Sequence, residues 1–307
     1  MKDKNKITQF EWFKSSSKAE YDAWKTERLR NAAKFRNLPP IGINDLANPT
    51  RAEQTAILER CAKTNFALYE VRNSDNNPQK VAQDLRRFAA AFGLRIAEMH
   101  RSAGEAGVVA LEPTSEEGKK GYIPYTNHGM NWHTDGYYND DGEWISAFVL
   151  HCLTPADKGG ANQILDPEIA YIRLRDANPA YVRAFMHPAA MTIPENRERN
   201  GKVRPASTGP VFYPDPQTGR LQMRYTARTR SIEWRDDPLT HEAQEVLRDL
   251  LMQNDPMAVE IKLASGQGIL NNNVLHNRTA FETDDKEKPS RQILRVRFLN
   301  RIGSNAP

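Results

Sequence analysis

A stretch near the middle of the chain decides the fold: Asn131-Trp132-His133-Thr134-Asp135-Gly136-Tyr137-Tyr138-Asn139. Successive side chains of an extended strand point to opposite faces, so His133 and Asp135 point in the same direction. One imidazole and one carboxylate on the same face can hold one metal ion. A chain with 7 histidines and 39 acidic residues is expected to contain such a pair by chance. The interpretation therefore requires a second histidine.

That second histidine lies far along the chain, at the end of an apolar segment. His276 follows 268–275 and precedes a polar stretch, 282–290. Taken alone, His276 is more typical of a loop histidine that bonds to the backbone. A closed β-barrel, however, can bring distant strand ends together. With His133 and Asp135 it would complete the two-histidine, one-carboxylate ligand set of non-haem Fe(II) sites.

The last apolar segment carries alternating side chains. One face consists of Arg291, Ile293, Arg295 and Arg297, and the other of Leu294, Val296 and Phe298. A solvated edge strand is one interpretation. If the arginine face instead lines a barrel interior, the buried guanidinium groups require anions. A guanidinium binds a carboxylate through two parallel hydrogen bonds, so a dicarboxylate is a candidate ligand. Arg291 and Arg295 are roughly 13 Å apart at Cα by strand rise, so they can serve two anions.

Short extended segments dominate residues 105 to 300, with helices between them. The hydrophobic periodicity predicts strands at 66–71, 145–152, 257–263, 267–275 and 291–299. It predicts helices at 50–63, at 81–92, at 166–185 with a break near Pro179, and at 243–251. This pattern predicts a mainly β fold with flanking helices, a β-sandwich or jelly roll.

Composition narrows the class of protein. Hydrophobic residues make up 39% and charged residues 27% of the chain, which is typical of a soluble globular protein. Cys61 and Cys152 lie far apart, so we expect no disulfide framework and a cytoplasmic location. We find no secretory signal and no apolar run of about 18 residues, and expect no membrane association. The net charge is +4, but the basic residues are interleaved with acidic ones and form no basic stripe. We therefore expect no nucleic-acid partner. A homo-oligomer stays open.

The first 40 residues differ from the remainder. Residues 8–36 read as a charged helix that carries aromatic side chains: Phe10, Trp12, Phe13, Tyr21 and Trp24. We therefore expect residues 1–40 to form a helical extension that packs on a single domain, 41–307. The polar, turn-rich stretch 195–209 predicts either an ordinary exposed loop or a lid.

Together these residues resemble a known family. His133-Thr134-Asp135, then His276, then Arg291-x-x-x-Arg295 resemble the TauD/TfdA family of Fe(II)/2-oxoglutarate-dependent dioxygenases. The segment 277–281 is similar to its clavaminate-synthase-like branch. The resemblance covers roughly residues 60–300. It implies a double-stranded β-helix, also called a cupin-like jelly roll, around Fe(II), with His133, Asp135 and His276 as ligands.

The resemblance also implies roles for other side chains. Arg291 would pair with the distal carboxylate of 2-oxoglutarate. Family members often carry a threonine after the Gly-Gly turn, and here Asn162 stands there, with an amide that can donate the same hydrogen bond. Arg295 would bind an anionic group of the substrate. Apart from the resemblance, Tyr137 and Tyr138 directly follow the metal motif, so they are candidates to face the substrate, and one ring could contact a substrate cation. Core packing is the more ordinary role of each.

The implied reaction consumes 2-oxoglutarate and O2, releases succinate and CO2, and oxidises a small molecule that bears an anionic group. We expect hydroxylation of an amino acid, betaine, sulfonate or natural-product intermediate. The family's halogenating relatives lack the carboxylate that Asp135 retains here. Desaturation or ring closure, a zinc hydrolase and a non-catalytic cupin-like binding protein are the alternatives. His241-Glu242 does not continue as the HExxH motif of zinc proteases.

Overall fold

The computed structural model contains six α-helices within the residues it describes. Those residues are 18–72, 75, 77–96, 107–116, 119, 121–197, 203–228, 230, 232–282 and 291–303. The helices are α1 (Lys18–Phe35), α2 (Arg51–Thr64), α3 (Pro78–Ala91), α4 (Pro167–Ala177), α5 (Pro179–Phe185) and α6 (Pro238–Met252). A 3-10 helix occupies Ile123–Tyr125.

Short strands form most of the remaining regular structure. In chain order they are β1 (Ile41–Ile43), β2 (Phe66–Val71), β3 (Val109–Leu111), β4 (Met130–His133), β5 (Ala147–Thr154), β6 (Lys158–Gly159), β7 (Asn162–Leu165), β8 (Met191–Ile193), β9 (Asn196–Arg197), β10 (Val203–Arg204), β11 (Ser207–Gly209), β12 (Phe212–Pro214), β13 (Leu221–Met223), β14 (Glu233–Trp234), β15 (Val259–Ile261), β16 (Gln267–Asn271), β17 (Leu275–Arg278), β18 (Phe281–Glu282) and β19 (Gln292–Phe298).

Two sheets enclose the centre of the molecule. The larger has the strand order β1-β2-β16-β5-β19-β3, and the smaller has the order β15-β7-β17-β4. One apolar cluster takes side chains from both sheets, among them Phe148 and Ile269 from the larger and Ile164 and Ile261 from the smaller. Their inner faces therefore pack together, which is the arrangement of a double-stranded β-helix. The predicted mainly β fold with flanking helices is confirmed.

Strand β19 alternates between the two sides of the larger sheet. An apolar cluster shared with helices α2 and α3 contains Leu294, Val296 and Phe298. Ile293 instead joins the cluster between the two sheets. Because alternate side chains of a strand point to opposite faces, Arg295 lies on the inner side with Ile293. The predicted separation of an apolar face from an arginine face is confirmed.

Local capping explains where several helices begin. The Asn178 side chain accepts a hydrogen bond of 2.9 Å from the amide of Ala180, and Pro179 starts α5. Proline suits the first helical position, since the amide it lacks would have no partner there. The predicted break of 166–185 near Pro179 is confirmed. At α2, Thr50 and Glu53 form a capping box.

Helix α1 contacts the body of the protein through aromatic and charged side chains. Tyr21 is buried in a cluster that also contains Tyr171. The Trp24 ring meets the Tyr171 ring edge-on, with 6.2 Å between centroids. Phe10, Trp12 and Phe13 lie outside the described residues.

The polar stretch 195–209 contains short strands on either side of residues 198–202, which lie outside the described residues. Strand β9 pairs with β10, and β11 pairs with β8. Whether this stretch acts as a lid stays a prediction. Within the described residues, no helix is both long enough and apolar enough to cross a membrane.

Candidate metal centre and active site

Three side chains that could hold one metal ion meet between β4 and β17. These strands run antiparallel, and His133 lies directly opposite His276. Their ring centroids are 4.2 Å apart. Asp135 Oδ1 lies 3.7 Å from His133 Nε2 and 4.0 Å from His276 Nε2. Two metal–ligand bonds of roughly 2.1 Å, typical of divalent metal sites, span up to about 4.2 Å, so both separations fit a shared ion.

Backbone hydrogen bonds orient both imidazoles. The Nδ1 atom of His133 lies 2.8 Å from the carbonyl oxygen of Asn131, and that of His276 lies 2.9 Å from the carbonyl oxygen of Val274. A carbonyl oxygen only accepts, so each Nδ1 carries the proton and donates it. Each Nε2 then keeps a free lone pair that faces the other ligand atoms. Such second contacts are what hold metal-binding histidines in place.

Electrostatics favours the protonation states that a metal needs. Burial lowers the pKa of His133 to about 3 and also lowers the pKa of His276. Burial by itself raises the pKa of Asp135, but the guanidinium groups of Arg295 and Arg297 outweigh it and hold that pKa well below its usual range. The site thus offers two neutral imidazoles and one carboxylate, which suits Fe(II).

The backbone around Asp135 is fixed by Asn273 and Gly136. The amide of Asp135 donates to Asn273 Oδ1 at 2.7 Å. Asn273 Nδ2 donates in turn to the carbonyl oxygens of Asp135 and Ile145, at 3.0 and 2.7 Å. Gly136 has a φ of +66°, and a Cβ there would lie 2.4 Å from Ile145 Cγ1. Sequence reasoning missed Asn273, since the run 271–273 carries no sign that one side chain would bridge to a strand far away.

A further contact supports strand β4 from its other side. The amide of Thr134 donates to the carbonyl oxygen of Tyr225 at 3.0 Å. The amide of Tyr225 donates to Thr134 Oγ1, also at 3.0 Å. Thr134, between the two ligands, therefore ties their strand to the segment after β13.

The arginine face of β19 lies in the interior. Arg291, Arg295 and Arg297 are buried. Arg295 Nη1 lies 3.3 Å from Asp135 Oδ2, so Arg295 forms an ion pair with one of the candidate ligands. Arg297 Nη1 donates to the Tyr138 hydroxyl at 3.2 Å.

Arg291 lies beside the Gly159–Gly160 turn. A Cβ on Gly160 would lie 3.2 Å from Arg291 Nε, so this turn leaves room for the arginine. The guanidinium carbon stands 5.2 Å from the centroid of the Phe281 ring. Burial lowers the pKa of Arg291. Within the described residues no carboxylate forms an ion pair with Arg291, which leaves a buried cation that lacks an anion.

An apolar cavity opens beside His276. Its lining consists of His276, Asn162, Phe148, Leu150, Ile164, Ile261, Leu263 and Ile269. The Asn162 side chain donates from Nδ2 to the carbonyl oxygen of Asn277 at 2.7 Å. One of its two amide hydrogens is thus used within the protein, and the second is left for a ligand.

Tyr137 and Tyr138 flank the candidate ligands in different ways. Tyr137 is buried in the core, and its ring meets that of His133 edge-on at 6.4 Å between centroids. Tyr138 is half-buried and packs against the same core. The guanidinium of Arg228 lies 5.7 Å from the Tyr137 ring centroid, and that of Arg204 lies 5.8 Å from the Tyr138 ring centroid. Protein cations therefore occupy positions that we predicted for a substrate cation.

Fold and donor set together define a class: a double-stranded β-helix protein with the ligand set of a non-haem Fe(II) oxygenase. The family model described as "Taurine catabolism dioxygenase TauD, TfdA family" matches residues 34–297. The chain belongs to the TauD/TfdA family of dioxygenases.

Two relatives are named uridine-5'-phosphate dioxygenase. One, from an Amycolatopsis species, is 30% identical over 179 residues, which cover 56% of this chain and 62% of the relative. The other, from a Streptomyces species, is 30% identical over 208 residues, or 66% of this chain and 72% of the relative. The chain thus spans less than two thirds of the length of the first relative.

The fold is similar to that of the non-haem iron oxygenase OrfP, solved in complex with Fe and alpha-ketoglutaric acid. The TM-score is 0.60 at 16% identity, and the match covers 92% of each chain. This likeness confirms the predicted double-stranded β-helix.

Proposed function

We propose that His133, Asp135 and His276 hold the Fe(II) of this oxygenase and that the enzyme hydroxylates an unactivated C–H bond of a small anionic molecule. The observation that supports this assignment above all is the pairing of His133 with His276 on neighbouring strands, with Asp135 within 4.0 Å of both. When bound, the iron supplies the oxidising chemistry: O2 and 2-oxoglutarate give succinate and CO2, with one oxygen atom in succinate and one in the product.

Arg291 binds the distal carboxylate of 2-oxoglutarate in this proposal. It is a buried guanidinium without an ion-pair partner in the described part of the chain, and it stands at the turn that leads to Asn162. The guanidinium can form two parallel hydrogen bonds with a carboxylate. Asn162 donates its remaining amide hydrogen to the same group. The apolar walls beside His276 exclude water from the cosubstrate.

Arg295 faces the substrate from beside Asp135 and supports an anionic substrate. Uridine 5'-phosphate is the first compound to test, because it is named in both relatives. We place Tyr137 and Tyr138 at the edge of the substrate site, where their rings shape it. The chain is organised in this proposal as a helical extension, 1–40, on one catalytic domain, 41–307.

The test is turnover with Fe(II), 2-oxoglutarate and O2 in the presence of uridine 5'-phosphate, read as succinate released and as product mass. A gain of one oxygen atom supports hydroxylation. A loss of two hydrogens instead identifies desaturation or ring closure. Anaerobic Fe(II) with 2-oxoglutarate should also give a weak visible charge-transfer band. A protein without that band and without succinate formation would contradict the proposal.

A further inference from the structure

The interior of the barrel contains more positive charge than its described side chains neutralise. Arg295 is 7% and Arg297 is 9% exposed, and both lie on the inner face of β19. Asp135 forms an ion pair with Arg295. Among the residues that the structure describes, no carboxylate forms an ion pair with Arg297, whose side chain donates to the Tyr138 hydroxyl.

The same excess of positive charge remains when Fe(II) and 2-oxoglutarate are bound. The two positive charges of Fe(II) cancel the two negative charges of 2-oxoglutarate, and Asp135 offsets one of the three arginines, through its ion pair with Arg295. Arg291, Arg295 and Arg297 together then carry about two positive charges more than Asp135, the iron and 2-oxoglutarate neutralise. A buried charge is costly unless an opposite charge and hydrogen bonds compensate it. The remaining ligand, the substrate, should therefore bring about two negative charges, as a phosphate monoester does near pH 7.

Unpartnered polar atoms lie in the same region. The Tyr125 hydroxyl and Arg295 Nε are buried and have no hydrogen-bond partner within the described residues. Tyr125 belongs to the apolar cluster between the two sheets, on the side of β19 that carries Ile293, Arg295 and Arg297. It is near enough to Arg297 to help raise the pKa of that guanidinium, after Tyr138 and Asp135. Buried polar groups are nearly always hydrogen-bonded in native proteins, so these two donors are places where a bound ligand can supply the missing acceptors.

We propose that Arg297 and Tyr125, together with Arg295, bind a phosphate monoester group of the substrate. These three residues are called the anion site below. The inference rests on the proposed function and narrows its anionic substrate to a phosphate ester. Three phosphate oxygens can accept from two guanidinium groups and a phenol at once, whereas a carboxylate or sulfonate leaves one of the two charges uncompensated.

The experiment is calorimetric titration of the anaerobic enzyme, loaded with Fe(II) and 2-oxoglutarate, with uridine 5'-phosphate, uridine and inorganic phosphate. The wild type should bind the nucleotide far more tightly than the nucleoside. Arg297→Gln should weaken nucleotide binding by about 10- to 100-fold, the loss expected for a charged hydrogen bond, and leave uridine binding unchanged. Tyr125→Phe should weaken it by about 3- to 10-fold. Arg297→Lys, which keeps the charge, should lie between wild type and Arg297→Gln.

Controls separate this inference from the proposed function. Arg51→Gln, which removes an exposed arginine of α2, should bind all three compounds like the wild type. The charge-transfer band reports the iron and 2-oxoglutarate site without any substrate. A normal band with equal affinity for nucleotide and nucleoside, or equal weakening of both by Arg297→Gln, would overturn the anion site and leave the oxygenase intact. Binding of phosphate by the wild type but not by Arg297→Gln, with no binding of uridine 5'-phosphate, would keep the anion site and reject that nucleotide.

Discussion

Two buried groups of charged side chains differ in what neutralises their arginines. Near helix α1, Arg28 pairs with Asp166 at 2.6 Å and with Glu168 at 2.5 Å. Asn65 completes this group by donating to Asp166 at 2.8 Å. At strand β19, Arg295 forms an ion pair with Asp135, and within the described residues no carboxylate pairs with the buried Arg291 or Arg297. Burial by itself lowers the pKa of Arg28, but Glu168 and Asp166 raise it, whereas burial lowers the pKa of Arg291.

The difference separates a structural role from a binding role. A buried cation whose carboxylates are supplied by the chain is complete and holds α1 on the body. A buried arginine without a carboxylate partner in the described part of the chain must receive its counter-charge from a bound ligand. Removing an arginine should therefore cost folding free energy in the first group and ligand affinity in the second.

The largest effect concerns the metal centre next to the β19 arginines. Asp135→Ala and His276→Ala should each abolish succinate formation and the anaerobic charge-transfer band, because two ligands hold Fe(II) too weakly. The matched control is His128→Ala, which removes an exposed histidine just before β4 and should turn over normally. Normal turnover in either ligand variant would exclude that residue from the metal site.

Arg28→Met should destabilise the fold by about 3–5 kcal/mol, because it leaves the Asp166 and Glu168 carboxylates buried without a cation. Urea unfolding measures this loss. Arg30→Met removes an exposed arginine of the same helix and should change the free energy of unfolding by less than about 0.5 kcal/mol. The KM for 2-oxoglutarate should be unchanged in both. A raised KM with unaltered stability would reverse the role that we assign to Arg28.

Arg291→Ala should weaken the binding of 2-oxoglutarate and leave the free energy of unfolding of the unloaded enzyme unchanged. Losing one member of a buried charge pair costs about 2–5 kcal/mol, so the 2-oxoglutarate requirement should rise by tens- to thousands-fold. The unfolding free energy of the enzyme without cosubstrate should not fall, since no described carboxylate loses its partner. Titration of the charge-transfer band gives the affinity. An unchanged affinity would remove Arg291 from the cosubstrate site.

His151 adds a buried base with a neutral neighbour. It is fully buried, its Nδ1 lies 3.2 Å from the Tyr69 hydroxyl, and burial lowers its pKa to about 4. Below about pH 6.5 the His151 imidazole binds a proton in the unfolded chain, whereas in the folded chain it stays neutral. The contribution of neutral His151 to the free energy of unfolding is therefore complete above about pH 6.5 and is lost as the pH falls. The loss amounts to about 3 kcal/mol near pH 4.

The measurement is urea unfolding of the metal-free wild type and His151→Gln at pH 7.5, 5.5 and 4.5. The wild type should lose more stability on acidification than the variant, and the difference isolates His151 from the other histidines. Parallel pH profiles would show that His151 titrates normally in the folded protein.

Much of the site was predictable because its chemistry is local. The spacing of His133 and Asp135, the apolar strand before His276 and the alternation of arginines along β19 can all be read from neighbouring residues. Asn273, Tyr125 and Arg297 were not predicted as site residues. Their roles depend on which strands and turns meet, and the sequence around each of them is equally typical of ordinary structure.

The amino-acid sequence by itself determined the types of side chain available and the face of each strand on which they lie, because strand periodicity follows from backbone geometry. Only the tertiary structure decided that His133 stands opposite His276, since a shift of one residue in that pairing would turn one ligand away. It also decided which buried arginines receive a carboxylate from the chain. That depends on packing between segments more than 100 residues apart, such as Arg28 and Asp166.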